Sequence, residues 1–232
     1  MPTFDRSKLK KEPFEPEFCS ATGSRIRGEQ LEVCFVLYPA GTEIKAHTQP
    51  NEQIHTIMKG KAKYRVKAEE KTIGPGEAAL IKSNTEYSAK ILEDLEVMNF
   101  RDVGPAGSAK QEAAKGSPFF KWDEMKGDKI TPKYSPAEGP TIKGERIEVG
   151  LFFYPAGGEG KLHSHPNEQI QVPLKGRSEG FIGGEKFSVG PGEVVLIPAN
   201  TEHTGKSLED YTTINCKNAV SGWSVYHANW EK

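Results

Sequence analysis

The chain has 232 residues, with 31 Lys and Arg against 32 Asp and Glu, for a formal net charge of −1. The charges are interspersed, so no basic face or tail is offered to nucleic acid or to an anionic membrane. No run approaches the ~20 apolar residues that span a bilayer. The first residues, MPTFDRSKLKKEPFEPEF, also lack the apolar core of a secretion signal, so a soluble cytoplasmic protein is expected.

From the N-terminus, short β-branched and aromatic runs alternate with Gly and Pro turns. LEVCFVLYPAG from Leu31 reads as a strand closed by a turn, GPGE from Gly74 as a turn, and AALI from Ala78 as a strand before a further turn, SNTE. Residues 104–140 are punctuated and polar at first. There QEAAKG near Gln111 predicts a short helix, and Phe119, Phe120 and Trp122 predict a segment docked on a barrel instead of left in solvent. The earlier pattern then recurs. GEQLEVCFVLYPAG from Gly28 matches GERIEVGLFFYPAG from Gly144, and IGPGEAALIKSNTEY from Ile73 matches VGPGEVVLIPANTEH from Val189. Both matches share one offset, 144 − 28 = 116, so the halves are copies of one supersecondary unit.

The expected layout is an N-terminal barrel over 1–103, a linker and docking segment over 104–140, and a C-terminal barrel over 141–232. The fold class is all-β, since the missing helices exclude a doubly wound α/β sheet. Cys19, Cys34 and Cys216 form no CxxC pair and are expected to be reduced, structural thiols.

LHSHPNEQIQVPLKG, from Leu162 to Gly176, carries the chemistry. In a strand alternate residues share a face, so His163 and His165 project the same way. Beyond the Pro166-Asn167 turn, Gln169 and Gln171 share a face opposite Ile170, Val172 and Leu174. A third imidazole, His203, closes the strand-and-turn GEVVLIPANTEH. Any one of these histidines alone would more often be a surface or locally hydrogen-bonded residue.

The order Gly157, five residues, His163-x-His165, an amide four residues on, then a Pro-Gly turn, Pro198 and His203 resembles the paired motifs of the cupin superfamily. The resemblance implies two tandem cupin barrels (double-stranded β-helix, or jelly roll), a bicupin. It also implies one divalent transition metal, among Fe, Ni, Co, Zn, Mn and Cu, held by His163, His165, Gln169 and His203, with Gly157, Gly176, Gly192 and Pro198 at turns. The family's usual Glu is Gln169 here, and alternation points the preceding Glu168 away; a slip of one residue would reverse that choice. The string HSHPNEQI is similar to that of 3-His/Gln cupins, among them uronate-linearising pectin-degradation cupins and the bicupin isomerase of the bacilysin pathway.

Three neutral imidazoles and a neutral amide leave the full charge on the ion, which suits Lewis-acid chemistry. The resemblance thus implies a non-redox isomerase, lyase or ring-opening enzyme acting on a small sugar-acid-like or keto-acid-like metabolite. An iron-dependent dioxygenase and a non-catalytic small-molecule-binding bicupin are the alternatives. Gln171 and His227, the latter in the closing SGWSVYHANW, are candidates for proton handling. The first copy has His47, Gln49, Gln53 and Tyr87 at the ligand positions, so a structural role is expected for it, with a weak site on His47 and His55 ranked low. The apolar Ile170, Val172 and Leu174 suggest a homodimer. The expected partner is a small-molecule substrate, with no nucleic acid and no membrane.

Overall fold

A computed structural model describes residues 3–105, 110–131 and 133–221. The first copy runs β1 (Thr3–Asp5), β2 (Glu12–Phe14), β3 (Ala21–Arg27), β4 (Leu31–Tyr38), β5 (Glu43–His47) and β6 (Gln53–Lys59). It continues through β7 (Ala62–Val66), β8 (Glu69–Ile73), β9 (Glu77–Ile81), β10 (Tyr87–Ile91) and β11 (Leu95–Asp102). The second copy runs β12 (Phe119–Lys121), β13 (Asp128–Lys129), β14 (Glu138–Gly139), β15 (Thr141–Lys143), β16 (Ile147–Tyr154) and β17 (Gln169–Lys175). It ends with β18 (Ser178–Ile182), β19 (Glu185–Val189), β20 (Glu193–Ile197), β21 (His203–Ser207) and β22 (Tyr211–Asn218). Among the described residues there is no α-helix, hence none long and apolar enough to cross a membrane.

The offset of 116 reaches beyond the sequence matches, because β1 maps onto β12 and β11 onto β22. Each barrel is two facing sheets. In the first, β9-β6-β11-β4-β3-β2 faces β5-β10-β7-β8; in the second, β20-β17-β22-β16-β14-β13, with β15 also on β16, faces β19-β18-β21. The arms are exchanged: β1 adds to the edge of β20 in the second barrel, and β12 adds to β9 in the first. Both exposed edges are thereby covered by the other half of the same chain. Phe119 joins the first barrel's core and Trp122 the core between the barrels, which is how these rings dock.

The short helix expected near Gln111 is not formed. The amide N–H groups of Gln111 and Ala114 donate instead to the carbonyls of Glu145 and Lys143, so tertiary pairing overrides a weak local preference. The three cysteines are free, Cys34 and Cys216 buried and Cys19 half-buried.

The apolar face of Ile170 and Val172 lies in a cluster with Val33, Ile54 and Phe100 of the first copy. The stripe offered by the sequence as a dimer surface is therefore covered within the chain, where full burial of each large aliphatic side chain stabilises by roughly 1.5–3 kcal/mol. Two carboxylates fasten the same boundary. Glu168 accepts the N–H groups of Glu29, Gln30 and Leu31 at 2.9, 3.1 and 2.9 Å. Glu52 accepts those of Glu145, Arg146 and Ile147 at 2.8, 2.8 and 3.0 Å.

Candidate metal centre

An antiparallel bridge between His163 and His203 is what assembles the site. His163 and His203 exchange two backbone hydrogen bonds, 3.1 and 2.8 Å, in an isolated antiparallel bridge that sets the first and third imidazoles directly opposite each other. Their ring centroids are 4.3 Å apart, and His165 lies 4.8 Å from His203 and 5.9 Å from His163. One ring nitrogen from each of the three comes within 4.8 Å of the others.

Second partners fix which nitrogen is offered. Nδ1 of His163 lies 2.7 Å from the carbonyl of Lys161, that of His165 2.9 Å from Asn167, and that of His203 2.9 Å from Thr201. A carbonyl only accepts, so each Nδ1 carries the proton and each Nε2 presents a lone pair. Burial holds all three imidazoles toward their neutral form, lowering His165 to about 2 and His203 to about 4, and lowering half-buried His163 as well.

Gln169 stands on the inward face of β17, buried beside them. Its Nε2 donates to Asn215 Oδ1 at 3.0 Å, which turns Oε1 toward His165 Nε2, 3.2 Å away. With the tautomer set as above, two lone-pair acceptors face each other, an unfavourable contact unless a cation stands between them. The donor set, the supporting carbonyls and this opposed pair fit a divalent transition ion. Glu168, the alternative ligand, points to the other face of the sheet into the first copy, so it does not share the site.

A cavity of about 90 Å³ adjoins these residues. His163, Gln169, His203 and Gln171 line it, so Gln171 lies on the same inward face as the ligand positions; His227 lies outside the described residues. Lys217, which sequence reading did not single out, also lines it, opposite Gln169 in the β17–β22 ladder. Burial lowers its ammonium to about 8, with the charge of Glu148 on β16 opposing that shift. The signal was present in TTINCKN, where Thr213, Asn215 and Lys217 alternate with apolar Ile214 and Cys216. At the rear of the barrel Gly176, with φ 70, lets the chain pass so close that a Cβ there would meet the carbonyl of Asp210 at 2.3 Å.

The first barrel fills the same space with side chains. His47 stacks on Phe18 with centroids 3.9 Å apart and lies 4.5 Å from the Tyr87 ring. Both nitrogens of His55 are occupied, by the Tyr64 hydroxyl and Gln53 Oε1 at 3.1 Å each, and burial lowers it to about 3. Fully buried Tyr64 takes the position that Gly180 holds in the second copy. His55 is thus held through both ring nitrogens, and His47 through its ring stacking and its Nδ1 contact with the Lys45 carbonyl at 2.7 Å.

A family model described as "Cupin domain" matches residues 34–99 and 150–212, more than half of the chain. Among curated proteins no relative matches the sequence. Solved structures do. AerE from Microcystis aeruginosa is 14% identical with a TM-score of 0.71, covering 91% of this chain and 98% of its own. A putative glyoxylate induced protein from Pseudomonas aeruginosa is 11% identical with a TM-score of 0.74, covering 94% and 87%. Oxalate decarboxylase from Bacillus subtilis is 13% identical with a TM-score of 0.68, covering 94% and 75%. At these identities the likeness is one of fold.

Proposed function

Since this chain belongs to the cupin family, we propose that it is a metal-dependent enzyme whose C-terminal barrel converts a small oxygenated metabolite by isomerisation, elimination or ring opening without net redox change. The observation that carries this reading is the convergence of the Nε2 atoms of His163, His165 and His203 and the amide oxygen of Gln169 beside a cavity, with no carboxylate in that donor set. A divalent ion held by His163, His165, His203 and Gln169 would keep its full charge and supply Lewis acidity toward a carbonyl or enol oxygen.

The chain's own residues would do the rest. Gln171 offers an amide donor and acceptor to orient a substrate hydroxyl or carbonyl from one strand step beyond Gln169. Lys217, with an ammonium lowered to about 8, holds a proton near neutrality and can release it, the property asked of an acid-base group. The buried ring of Tyr211 and the small side chains of Ser178 and Ser207 also line the cavity.

The test is anaerobic. Metal-loaded protein is incubated in D2O with 2-oxo acids and unsaturated uronates, and exchange or rearrangement at the carbon next to the carbonyl is followed by NMR. Turnover without oxygen that is lost in His163→Ala supports the reading. Activity that strictly requires O2 and iron replaces it with the dioxygenase reading, and stoichiometric ligand binding with no product replaces it with the binding-protein reading.

A further inference from the structure

One tyrosine stands at the same place in both barrels and is surrounded differently in each. The offset of 116 pairs Tyr38 with Tyr154, each closing a long strand before a Pro-Ala-Gly turn, and it also pairs Asn99 with Asn215 and Cys19 with Ser135. In the first barrel Asn99 Nδ2 donates to Gln53 Oε1 at 2.9 Å, and Cys19 Sγ turns back to the carbonyls of Phe14 and Glu15 at 3.4 and 3.8 Å. Tyr38, 3% exposed, belongs to the apolar core cluster of that barrel.

In the second barrel both neighbours turn the other way. Gln169 Nε2 donates to Asn215 Oδ1 at 3.0 Å, which leaves the Asn215 amide only its Nδ2 donor to place. That atom is buried and reaches hydrogen-bond geometry with none of the described residues, and it is turned toward the Tyr154 oxygen. Ser135 Oγ accepts the Ala137 N–H at 3.1 Å, so its own hydrogen is left to point at the same tyrosine. Tyr154, Asn215 and Ser135 all line the cavity beside the histidines, and Tyr154 is half-buried.

The strands give the direction. Tyr154 opposes Tyr211 in the β16–β22 ladder, whereas Asn215 opposes Gly150, four residues back toward the metal end. At about 3.3 Å per residue, a side chain that reaches from Tyr154 to Asn215 runs lengthwise along the barrel. Its ring stays 5.6 Å from that of Tyr211, and its hydroxyl ends one amide beyond Gln169. A phenol oxygen that meets donors on two sides presents its own hydrogen to the side that remains. Burial pushes Tyr154 up to about 12, against the lowering effect of Ser135 and Asn215, so that hydrogen is kept at neutral pH.

We infer that Tyr154 is a catalytic residue of the second barrel, whose O–H donates to a substrate oxygen that gains negative charge as the substrate enolises or its ring opens. This rests on the metal-dependent reading above and deepens it. The ion's site and the tyrosine hydroxyl, linked through Gln169 and Asn215, are two points that each take an oxygen of one substrate, so the class is a compound with at least two oxygens. The hydrogen stays on the tyrosine throughout, and the effect is stabilisation of charge in a water-poor site. Tyr38, without those donors, gives the first barrel no such group.

The probe is acetohydroxamate, an anion with two adjacent oxygens like an enolised oxo compound, and small enough for a cavity of about 90 Å³. Azide, which engages a metal through one end, is the control. Both are titrated into Co(II)-loaded protein and followed by its visible absorption. Tyr154→Phe keeps the ring beside Tyr211, so Co(II) uptake and azide affinity should stay within about threefold of wild type. Acetohydroxamate should bind about 10–100-fold more weakly, the range for losing a hydrogen bond to a charged group. Ser135→Ala, which leaves the tyrosine in place, should weaken acetohydroxamate about fivefold, and Tyr38→Phe should leave both affinities unchanged. Equal acetohydroxamate affinity in wild type and Tyr154→Phe, or equal weakening of azide and acetohydroxamate, overturns the inference. Should Tyr154→Phe not fold, unaltered acetohydroxamate affinity in Ser135→Ala overturns it instead. So does Co(II) uptake by wild type with no acetohydroxamate bound at about 10 mM. A wild type that takes up no Co(II) is the separate result that brings down the metal-centre reading, and the inference falls with it.

Discussion

Glu52 and Glu168 are counterparts under the internal repeat, and each plants its carboxylate on three backbone N–H groups of the opposite copy. The relation explains why a glutamate precedes the inward glutamine in both copies. The glutamate holds the barrels together while its neighbour faces the interior. Gly28 and Gly144 complete the arrangement, because a Cβ at either would stand within 2.3 and 2.1 Å of the incoming carboxylate oxygen.

Replacing Glu168 by Ala should lower stability by about 2–4 kcal/mol, since three backbone donors, that of Leu31 buried and those of Glu29 and Gln30 part-buried, lose a charge-assisted partner. Metal stoichiometry should stay the same. Gln169→Ala should do the opposite, weakening metal uptake with a small change in stability. Urea denaturation and elemental analysis on the two variants separate the adjacent residues, and loss of metal in Glu168→Ala with Gln169→Ala unaffected would reverse the assignment.

The protein should bind one divalent transition ion per chain and not two. His203→Ala should weaken binding at least about 100-fold, whereas His47→Ala should leave it unchanged. Titration with Co(II), followed by its visible absorption, reads both stoichiometry and ligand loss; two equivalents per chain would show the first barrel to be active in binding.

Acid should destabilise the protein partly through a histidine far from the metal site. His55 is lowered from 6.5 to about 3 by burial, so below pH 6.5 the unfolded chain takes up a proton that the fold refuses. Stability is therefore lost as pH falls through 6.5, at up to about 1.4 kcal/mol per unit, until about pH 3. His55→Gln, the residue type found at the equivalent position 171, should remove about 2 kcal/mol of the stability difference between about pH 7 and about pH 5. Urea midpoints at the two pH values measure it, and an unchanged difference would mean that His55 titrates normally.

The exchanged arms should matter at a distance. The β1 strand pairs Thr3 with Val195 and Asp5 with Glu193, and the Arg6 guanidinium sits 3.8 Å over the Phe35 ring of the first barrel. Removing residues 1–9 should expose the β20 edge, speed hydrogen exchange there, and favour self-association. Protection of Glu193 and Val195 equal to that of the full chain would show the arm to be dispensable.

Much was legible in the sequence because its signals are local or periodic. The gap-free offset of 116 needs only identity of pattern, and the shared face of His163 and His165, or of Gln169 and Gln171, follows from strand parity. Parity alone could not tell whether Glu168 or Gln169 faced the barrel, since a slip of one residue exchanges them. The ladder register and the partners of Glu168 in the first copy settle that choice. Lys217 was overlooked for a related reason. It lies far along the chain from any motif, and only the β17–β22 ladder sets it opposite Gln169.

The chain order of side chains carries fold class, duplication and the candidate ligands, since each depends on spacings along one strand or one repeat. Which half each arm joins, which carboxylate clamps the barrels, and which cation stands by the cavity depend on contacts between residues tens to more than a hundred positions apart. Loop-closing contacts of that kind leave no periodic trace in the sequence, because they arise when separate strands are brought to one wall by burial of apolar faces such as Ile170 and Val172.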